Sequence, residues 1–461
     1  MKKKLLSIFP LLLFAAMPAY AQAPTVESLE LSINLVWVML GAVLVFFMHA
    51  GFTLVETGFT RAKNSLNIIM KNFLTISIVS ILYFMVGFGL MFGDTAGGFV
   101  GTNGFFLSGR EDIDFFVFQA MFAATSITII SGAVAERIHI MSYILIAVGM
   151  SIIVYPIIGH WVWSGDGWLA QLGFTDFAGS TVVHLTGAIA ALTVVIFLGP
   201  RIGKYTGKKV NVIPGHNIPL GALGVFVLWL GWFGFNGAST LAADTSAVPH
   251  VIATTLLSTS AAFVVSALYT KIRFGKIDPS ISLNGVLGGL VGITAGALDI
   301  SIIGSIIVGC VSGILLVEGV RFLDTKVRVD DPVGAIAVHG ICGIWGTIAV
   351  GLFSTSSGLF YGAGALQLGI QAIGVLAVIV YTLIVVSVIT VLINFIYPIR
   401  VSSEDEIAGL DYSEHGSYAY EWSQTLLERV INGNDEKPEH GLGLADRLNN
   451  LAHGAVKSKT S

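Results

Sequence analysis

Runs of roughly 17 to 25 apolar residues recur along this chain, and each is long enough to cross a hydrocarbon core of about 30 Å as a helix. No other feature confines the fold so tightly. In lipid every backbone N–H and C=O must be satisfied within the segment or in a closed barrel, and barrel strands are half this length. The runs fall near residues 32–56, 72–93, 115–135, 141–163, 180–199, 217–237, 250–270, 281–298, 301–320, 333–354 and 369–397. Eleven spans make an all-α polytopic membrane protein, a class that fits 11% charged residues, 54% apolar residues and a mean hydropathy of +0.83.

Three units follow from the ends of this pattern. Lys2 to Lys4, the apolar Leu5 to Ala16 and the small-x-small Ala19-Tyr20-Ala21 read as a signal peptide over 1–21, since the run is short and interrupted by Pro10 and Pro18. Residues 22–398 form the transmembrane domain, and the polar 399–461 a cytoplasmic tail with one short amphipathic stretch around Trp422 to Val430, its end partly disordered. The two cysteines, Cys310 and Cys342, lie within apolar runs and read as packing residues rather than as a disulfide or metal motif.

Basic residues test the count, because short cytoplasmic loops collect Lys and Arg. Arg61 and Lys63 follow the first span, Arg137 the third, Arg201, Lys204, Lys208 and Lys209 the fifth, Lys271, Arg273 and Lys276 the seventh, and Arg321, Lys326 and Arg328 the ninth. The intervening loops hold little beyond Arg110, which Glu111, Asp112 and Asp114 outnumber. The alternation places the N-terminus outside and the C-terminus in the cytoplasm.

Two stretches echo one another. Asp176 to Ala188 reads DFAGSTVVHLTGA and Asp331 to Gly346 reads DPVGAIAVHGICGIWG, so Asp176 and His184 repeat the spacing of Asp331 and His339, with Gly179 matching Gly334. The histidines lie on spans five and ten. A repeat unit of five spans inverts the second copy, and inverted repeats place functional sites near the bilayer midplane. Each histidine lies about 12 Å in from an opposite face at 1.5 Å per residue, which brings the two within roughly 6 Å in depth.

Ionisable groups at membrane depth point to function, more so when a pair converges. A neutral imidazole donates one hydrogen bond and accepts one, so the pair has the chemistry to share or pass a proton. The two aspartates read as helix caps, Asp176 with a second role in attracting a cation near an outer vestibule. Phe118, Trp163 and Ser239 share the outer depth, two π faces and a hydroxyl acceptor suited to a desolvated cation. Phe122 and Phe235, one turn deeper, are placed to close the path. An aromatic interface belt with ordinary core phenylalanines accounts for these five positions equally well from spacing alone. Glu56, Glu136 and Glu318, near cytoplasmic ends, read as paired or helix-stabilising groups, and His49 and His160 as satisfied structural histidines. The span-eight glycines Gly285, Gly288, Gly289, Gly292 and Gly296 allow close packing.

With these residues in view, the chain resembles an ammonium transporter of the Amt/Mep/Rh family, through FQAMFA (118–123), GAVAERI (132–138), DFAGSTVVH (176–184), GWFGFNGAS (231–239), VDDPVGAIAVHGICGIWG (329–346) and GLDYSEHG (409–416). The resemblance implies eleven helices in two inverted halves (spans 1–5 and 6–10, plus an eleventh), assembled as a homotrimer in a bacterial inner membrane with one pore per subunit. It implies that Phe118, Trp163 and Ser239, supported by Asp176, recruit ammonium, that Phe122 and Phe235 gate the path, and that His184 and His339, flanked by Trp232, line the pore. The presence of Trp163 and both gate phenylalanines fits the Amt branch better than the Rh branch. Ser417 departs from the Glu that many members carry in this tail motif. Ammonium or methylammonium is the expected substrate and lipid the surroundings, with a PII-type signalling protein as a cytoplasmic partner. No cofactor, metal, enzymatic activity or nucleic-acid partner is expected. A sensor on the same scaffold competes through the long tail, and an intramembrane metalloenzyme lacks a third ligand at useful spacing.

Overall fold

The computed structural model describes residues 25–420, so the expected signal peptide and the tail beyond Tyr420 lie outside the described residues. Among the described residues, ten helices are long and apolar enough to cross a membrane. In chain order they are α1 (Val26–Phe59), α2 (Ala62–Phe92), α3 (Ile113–Ala133), α4 (Ile140–Leu172), α5 (Ser180–Leu198), α6 (Ile218–Thr240) and α7 (Ala247–Phe274), then α9 (Ile302–Val327), α10 (Ile336–Phe353) and α11 (Leu366–Ile396). The shorter apolar helix α8, Pro279–Thr294, fills the eighth place and completes the eleven. Its shortness explains why length alone separates it from the rest.

The alternation of loops between two ends reappears as physical contact. Arg201, after α5, pairs with Asp330, after α9, at 2.9 Å and with Glu136, after α3, at 3.2 Å. Arg61, after α1, also pairs with Glu136, and Arg400, after α11, donates through Nη2 to the Pro200 carbonyl, after α5, at 2.7 Å. Loops following odd-numbered helices therefore gather at one end. At the other end the loops after even-numbered helices meet: His250 Nε2 lies 3.0 Å from the Ile300 carbonyl, and Gln371 donates to the Thr175 carbonyl at 2.6 Å. The start of the tail docks on the first end through two short helices, Ser403–Ala408 and Leu410–His415. Lys63 Nζ donates to the Glu406 and Ile407 carbonyls, and Asp411 accepts from the Asn67 amide at 3.0 Å.

Packing between the halves relies on missing side chains. A Cβ on Gly58 of α1 would lie 2.4 Å from the Gly221 nitrogen of α6, and one on Gly343 of α10 would lie 2.7 Å from the Ser180 carbonyl of α5. Such approaches suit lipid, where helices associate by close contact and hydrogen bonds instead of by burial from water. Ser180 Oγ donates to the Val291 carbonyl and accepts from the Ala295 amide, both at 2.7 Å, while Thr181 and Thr347 hydroxyls meet at 2.6 Å. These ties lock α5, α8 and α10 together around the centre.

Both echoing stretches begin their helices the same way. Gly179 and Gly334 adopt left-handed φ values of 111° and 79°, where a side chain would strain the backbone. Each is followed by wide, π-helical turns, Ser180–Leu185 and Ile336–Ile341, that carry the histidines. Asp176 accepts from the amides of Gly179, Thr181 and Val182, and Asp331 from those of Gly334 and Ile336, so both aspartates are caps. The fold repeats the sequence echo in atomic detail.

Candidate functional site

The site is a column of rings running from the end of α4 to the centre of the bundle. Trp163 closes the helical part of α4, and its indole Nε1 donates to the Asp176 carbonyl at 2.7 Å. Phe118 and Phe122, one turn apart on α3, have ring centroids 4.6 Å apart. Phe122 also touches the Trp163 ring at 6.0 Å and stacks on Phe235 of α6 at 4.0 Å and 22°. From Phe235 the column continues to His184 at 5.5 Å, and Trp232 stacks on the same imidazole at 4.9 Å and 18°. His184 and His339 lie 5.1 Å apart at 21°, with their Nδ1 atoms at 3.2 Å.

Each ring is held by something outside the column. Trp232 Nε1 donates to Thr294 Oγ1 at 2.9 Å, which fixes the indole face. Ser126 Oγ donates to the Val183 carbonyl at 2.9 Å, within the π-helical stretch that presents His184. Ser239 Oγ donates to the Phe235 carbonyl at 2.8 Å, so its proton is engaged and its lone pairs remain available as acceptors. Phe118, Phe122, Phe235, Trp232 and both histidines are buried, and the polar atoms of these rings are the imidazole and indole nitrogens. His184 Nε2 has no hydrogen-bond partner among the described residues. A buried polar atom left in this way is costly, which suits a surface that a small donor or acceptor visits.

The structure thus brings together Phe118, Phe122, Trp163, Phe235, Trp232, His184 and His339 directly, with Ser239 and Asp176 attached through backbone carbonyls. The midplane estimate that the histidines meet holds to hydrogen-bond distance. His160 is satisfied as expected, between the Met91 carbonyl and Thr95 Oγ1 at 2.9 and 2.8 Å. His49 is not: both of its ring nitrogens are buried without a partner among the described residues, which corrects its reading as a satisfied histidine. The physical reason is its neighbourhood on α1, where Phe52 lies 6.5 Å away and offers no hydrogen-bonding atom. Glu136 and Glu318 are paired as expected, Glu318 with Arg273 and Arg321 at 3.1 and 3.0 Å.

Sequence reasoning passed over Phe52, whose ring lies 6.2 Å from His339, and the cavity beyond it that Glu56 lines. A signal was present. His49, Phe52 and Glu56 follow at three and four residues, which places all three on one face of α1.

With the geometry established, comparison with known proteins places the chain. Residues 36–420 match the model of the Ammonium Transporter Family. A putative ammonium transporter of Synechocystis is 41% identical over 416 residues, covering 86% of this chain and 92% of the relative. Ammonium transporter Amt2 of Archaeoglobus fulgidus is 39% identical, covering 86% and 89%. Among solved structures, a sensor Amt protein superposes with a TM-score of 0.81 at 38% identity over 84% of this chain and 100% of its own, and Mep2 of Candida albicans with 0.76 at 29% over 84% and 90%. An eleven-helix bundle with inverted halves, a matched stretch of this length and relatives near 40% identity agree that the chain belongs to the Ammonium Transporter Family.

Proposed function

We propose that this protein transports ammonium across the membrane by capturing the cation at the Trp163 end, taking its proton, and conducting ammonia past the histidines. The observation that carries the reading is the imidazole pair at 3.2 Å, placed behind the stacked Phe122 and Phe235. Ammonium and potassium are similar in size, so a hole cannot separate them. Chemistry can. Phe118, Trp163 and Ser239 form a cup in which each π face is worth about 0.5 to 2 kcal/mol to a desolvated cation, and the serine lone pairs take a hydrogen bond that potassium cannot donate.

Beyond the cup a bare cation meets dry rings, where it is very costly. Ammonium escapes this barrier by surrendering a proton. Neutral ammonia then hydrogen-bonds to His184 and His339, and the proton stays outside or is relayed through the pair. Asp176 supports the cup by attraction from behind Trp163. The same reading places the protein as a homotrimer in a bacterial inner membrane, signal peptide removed, N-terminus outside and tail in the cytoplasm, where a PII-type protein docks.

A second reading, ammonium sensing through the tail, is supported by the docking of residues 403–420 on the cytoplasmic loops and by the likeness to a sensor Amt protein. Ammonium pulses on proteoliposomes, read by solid-supported-membrane currents and by labelled methylammonium uptake, test the first reading. Wild type should take up substrate, and His184→Ala and His339→Ala should alter rate and charge movement. Absence of uptake by wild type refutes transport.

A further inference from the structure

On the cytoplasmic side of the histidine pair lies a small cavity walled by His339, Phe52, Glu56, Thr128, Gly132 and Asn284. It has about 20 Å³ of room for a water-sized sphere, and one water needs roughly 10 to 15 Å³. A single molecule of the size of water or ammonia fits. Glu56 is 2% exposed. Its Oε2 accepts from Ser131 Oγ at 2.7 Å, while Oε1 is buried with no donor among the described residues. The closest approach of α3 is permitted by Gly132, where a Cβ would already lie 3.4 Å from Glu56 Cγ and 2.6 Å from Val333.

Three donor-bearing side chains lie nearby, and Asn72, whose Nδ2 donates to the Ile68 carbonyl at 3.1 Å, also acts on Glu56. Lys71 Nζ, buried on α2, donates one of its three protons to the Ser131 carbonyl at 2.8 Å and acts on Glu56 through its charge, and Asn284 Nδ2 donates to the Val333 carbonyl at 2.8 Å. The titratable groups that face Glu56 are Lys71 from α2, Tyr143 from α4 and His339 from α10, with Glu136 and Arg137 acting on Lys71 from the loop after α3. An unpartnered carboxylate oxygen beside a one-molecule cavity, one face of which is an imidazole of the pore, is an acceptor waiting for a donor-rich guest.

We propose that Glu56 is an inner proton-exchange site, at which ammonia leaving His339 is reprotonated and the resulting ammonium is held by the carboxylate before release. The proposal rests on the conduction reading above. Protonated Glu56 gives its proton to the ammonia lone pair, which forms a fourth N–H bond and leaves a carboxylate beside ammonium. The ion departs to the cytoplasm, and the carboxylate takes a proton from hydronium there, releasing water. The net exchange is ammonia plus hydronium giving ammonium plus water. The ligand class is therefore a small monovalent cation with N–H donors, and Oε1 is the atom that receives it.

The test uses the full chain in proteoliposomes, with labelled methylammonium uptake corrected for protein-free vesicles and inner pH varied at fixed outer pH. Glu56→Gln, which cannot cycle a proton, should lower the maximal rate at least tenfold and flatten the inner-pH dependence, with KM on the outer side within twofold of wild type. Glu56→Asp should restore the pH dependence. Wild-type rate and profile in Glu56→Gln overturn the site while leaving conduction standing, whereas no uptake by wild type overturns both. Should Glu56→Gln fail to elute as folded protein, Ser131→Ala decides. It leaves the carboxylate but strips Oε2 of its donor, so a shift of the inner-pH midpoint supports the site and an unmoved midpoint overturns it.

Discussion

Asp176→Asn and Asp331→Asn, made in parallel, separate capping from attraction. The two carboxylates occupy equivalent places in the inverted halves. Asp176 Oδ1 accepts from the Gly179 amide and Oδ2 from those of Thr181 and Val182, all at 2.9 Å. Asp331 accepts from Gly334 at 3.0 Å and Ile336 at 2.7 Å. Asparagine has one acceptor oxygen, so each variant keeps one side of its cap and turns an NH₂ towards an N–H on the other. A hydrogen bond to a charged group is worth about 1.5 to 3 kcal/mol, and the lost charge at the helix start about 0.3 to 1 more. Both variants should therefore weaken the first turn by about 2 to 4 kcal/mol. The difference lies in what stands beyond. Asp176 borders Trp163, and for a cation on the far side of that indole, about 8 Å away at an effective dielectric of about 20, its charge contributes about 2 kcal/mol. Uptake kinetics from the outer side, paired with thermal unfolding in detergent, read the two effects apart. Both variants should lose similar thermal stability, and Asp176→Asn alone should raise KM, by roughly 10- to 30-fold. An equal KM in the two variants would refute the attraction.

Two further outcomes follow from buried contacts. Asp330→Asn removes the carboxylate that accepts from Arg201 N, Nε and Nη2 at 2.8, 2.9 and 2.9 Å, leaving Glu136 as the remaining anion at 3.2 Å, and should cost about 3 kcal/mol. Burial alone would raise the Asp330 carboxyl, but the Arg201 guanidinium holds it well below the usual carboxylate range. A depressed folded value means stability that is fully present above the unfolded value of about 3.9 and lost as pH falls through the folded one. The loss in thermal stability should thus stay constant from pH 5 to 8 and shrink in stronger acid; drift across that plateau would count against the assignment. Phe235→Ala removes a buried ring stacked at 4.0 Å on Phe122 and 5.5 Å from His184. Liposome flux should then show potassium admitted at least tenfold faster, and potassium exclusion at the wild-type level would argue that the stack is not the barrier.

What was legible in the chain was whatever a period can carry. Helix length, the alternation of basic loops and the equal Asp-to-His offsets all repeat along the sequence, and each reappears in the structure. Depth along a helix follows from the same arithmetic, which is why sequence alone pairs His184 with His339 and Phe122 with Phe235. Contacts that depend on rotation about a helix axis and on close approach were not legible. Nothing in the runs around His184 and His339 marks the π-helical turns. The partners of Glu136, Arg61 and Arg201, come from two loops distant in sequence, and the solitude of His49 depends on neighbours that no local pattern names.

The Nδ1-to-Nδ1 contact carries a consequence for any proton that travels through the pair. One ring must own the hydrogen between those atoms and the other must lend a lone pair, so a nearly symmetric bundle is forced to hold an asymmetric object at its centre. That object stores one bit. A neutral molecule sliding past leaves the bit untouched and can be followed at once by another. A proton hopping across inverts it, and the pair then points the wrong way for a successor until both rings exchange their hydrogens or turn over. Neutral conduction and proton relay through the same two rings therefore obey different clocks, the first set by passage and the second by resetting.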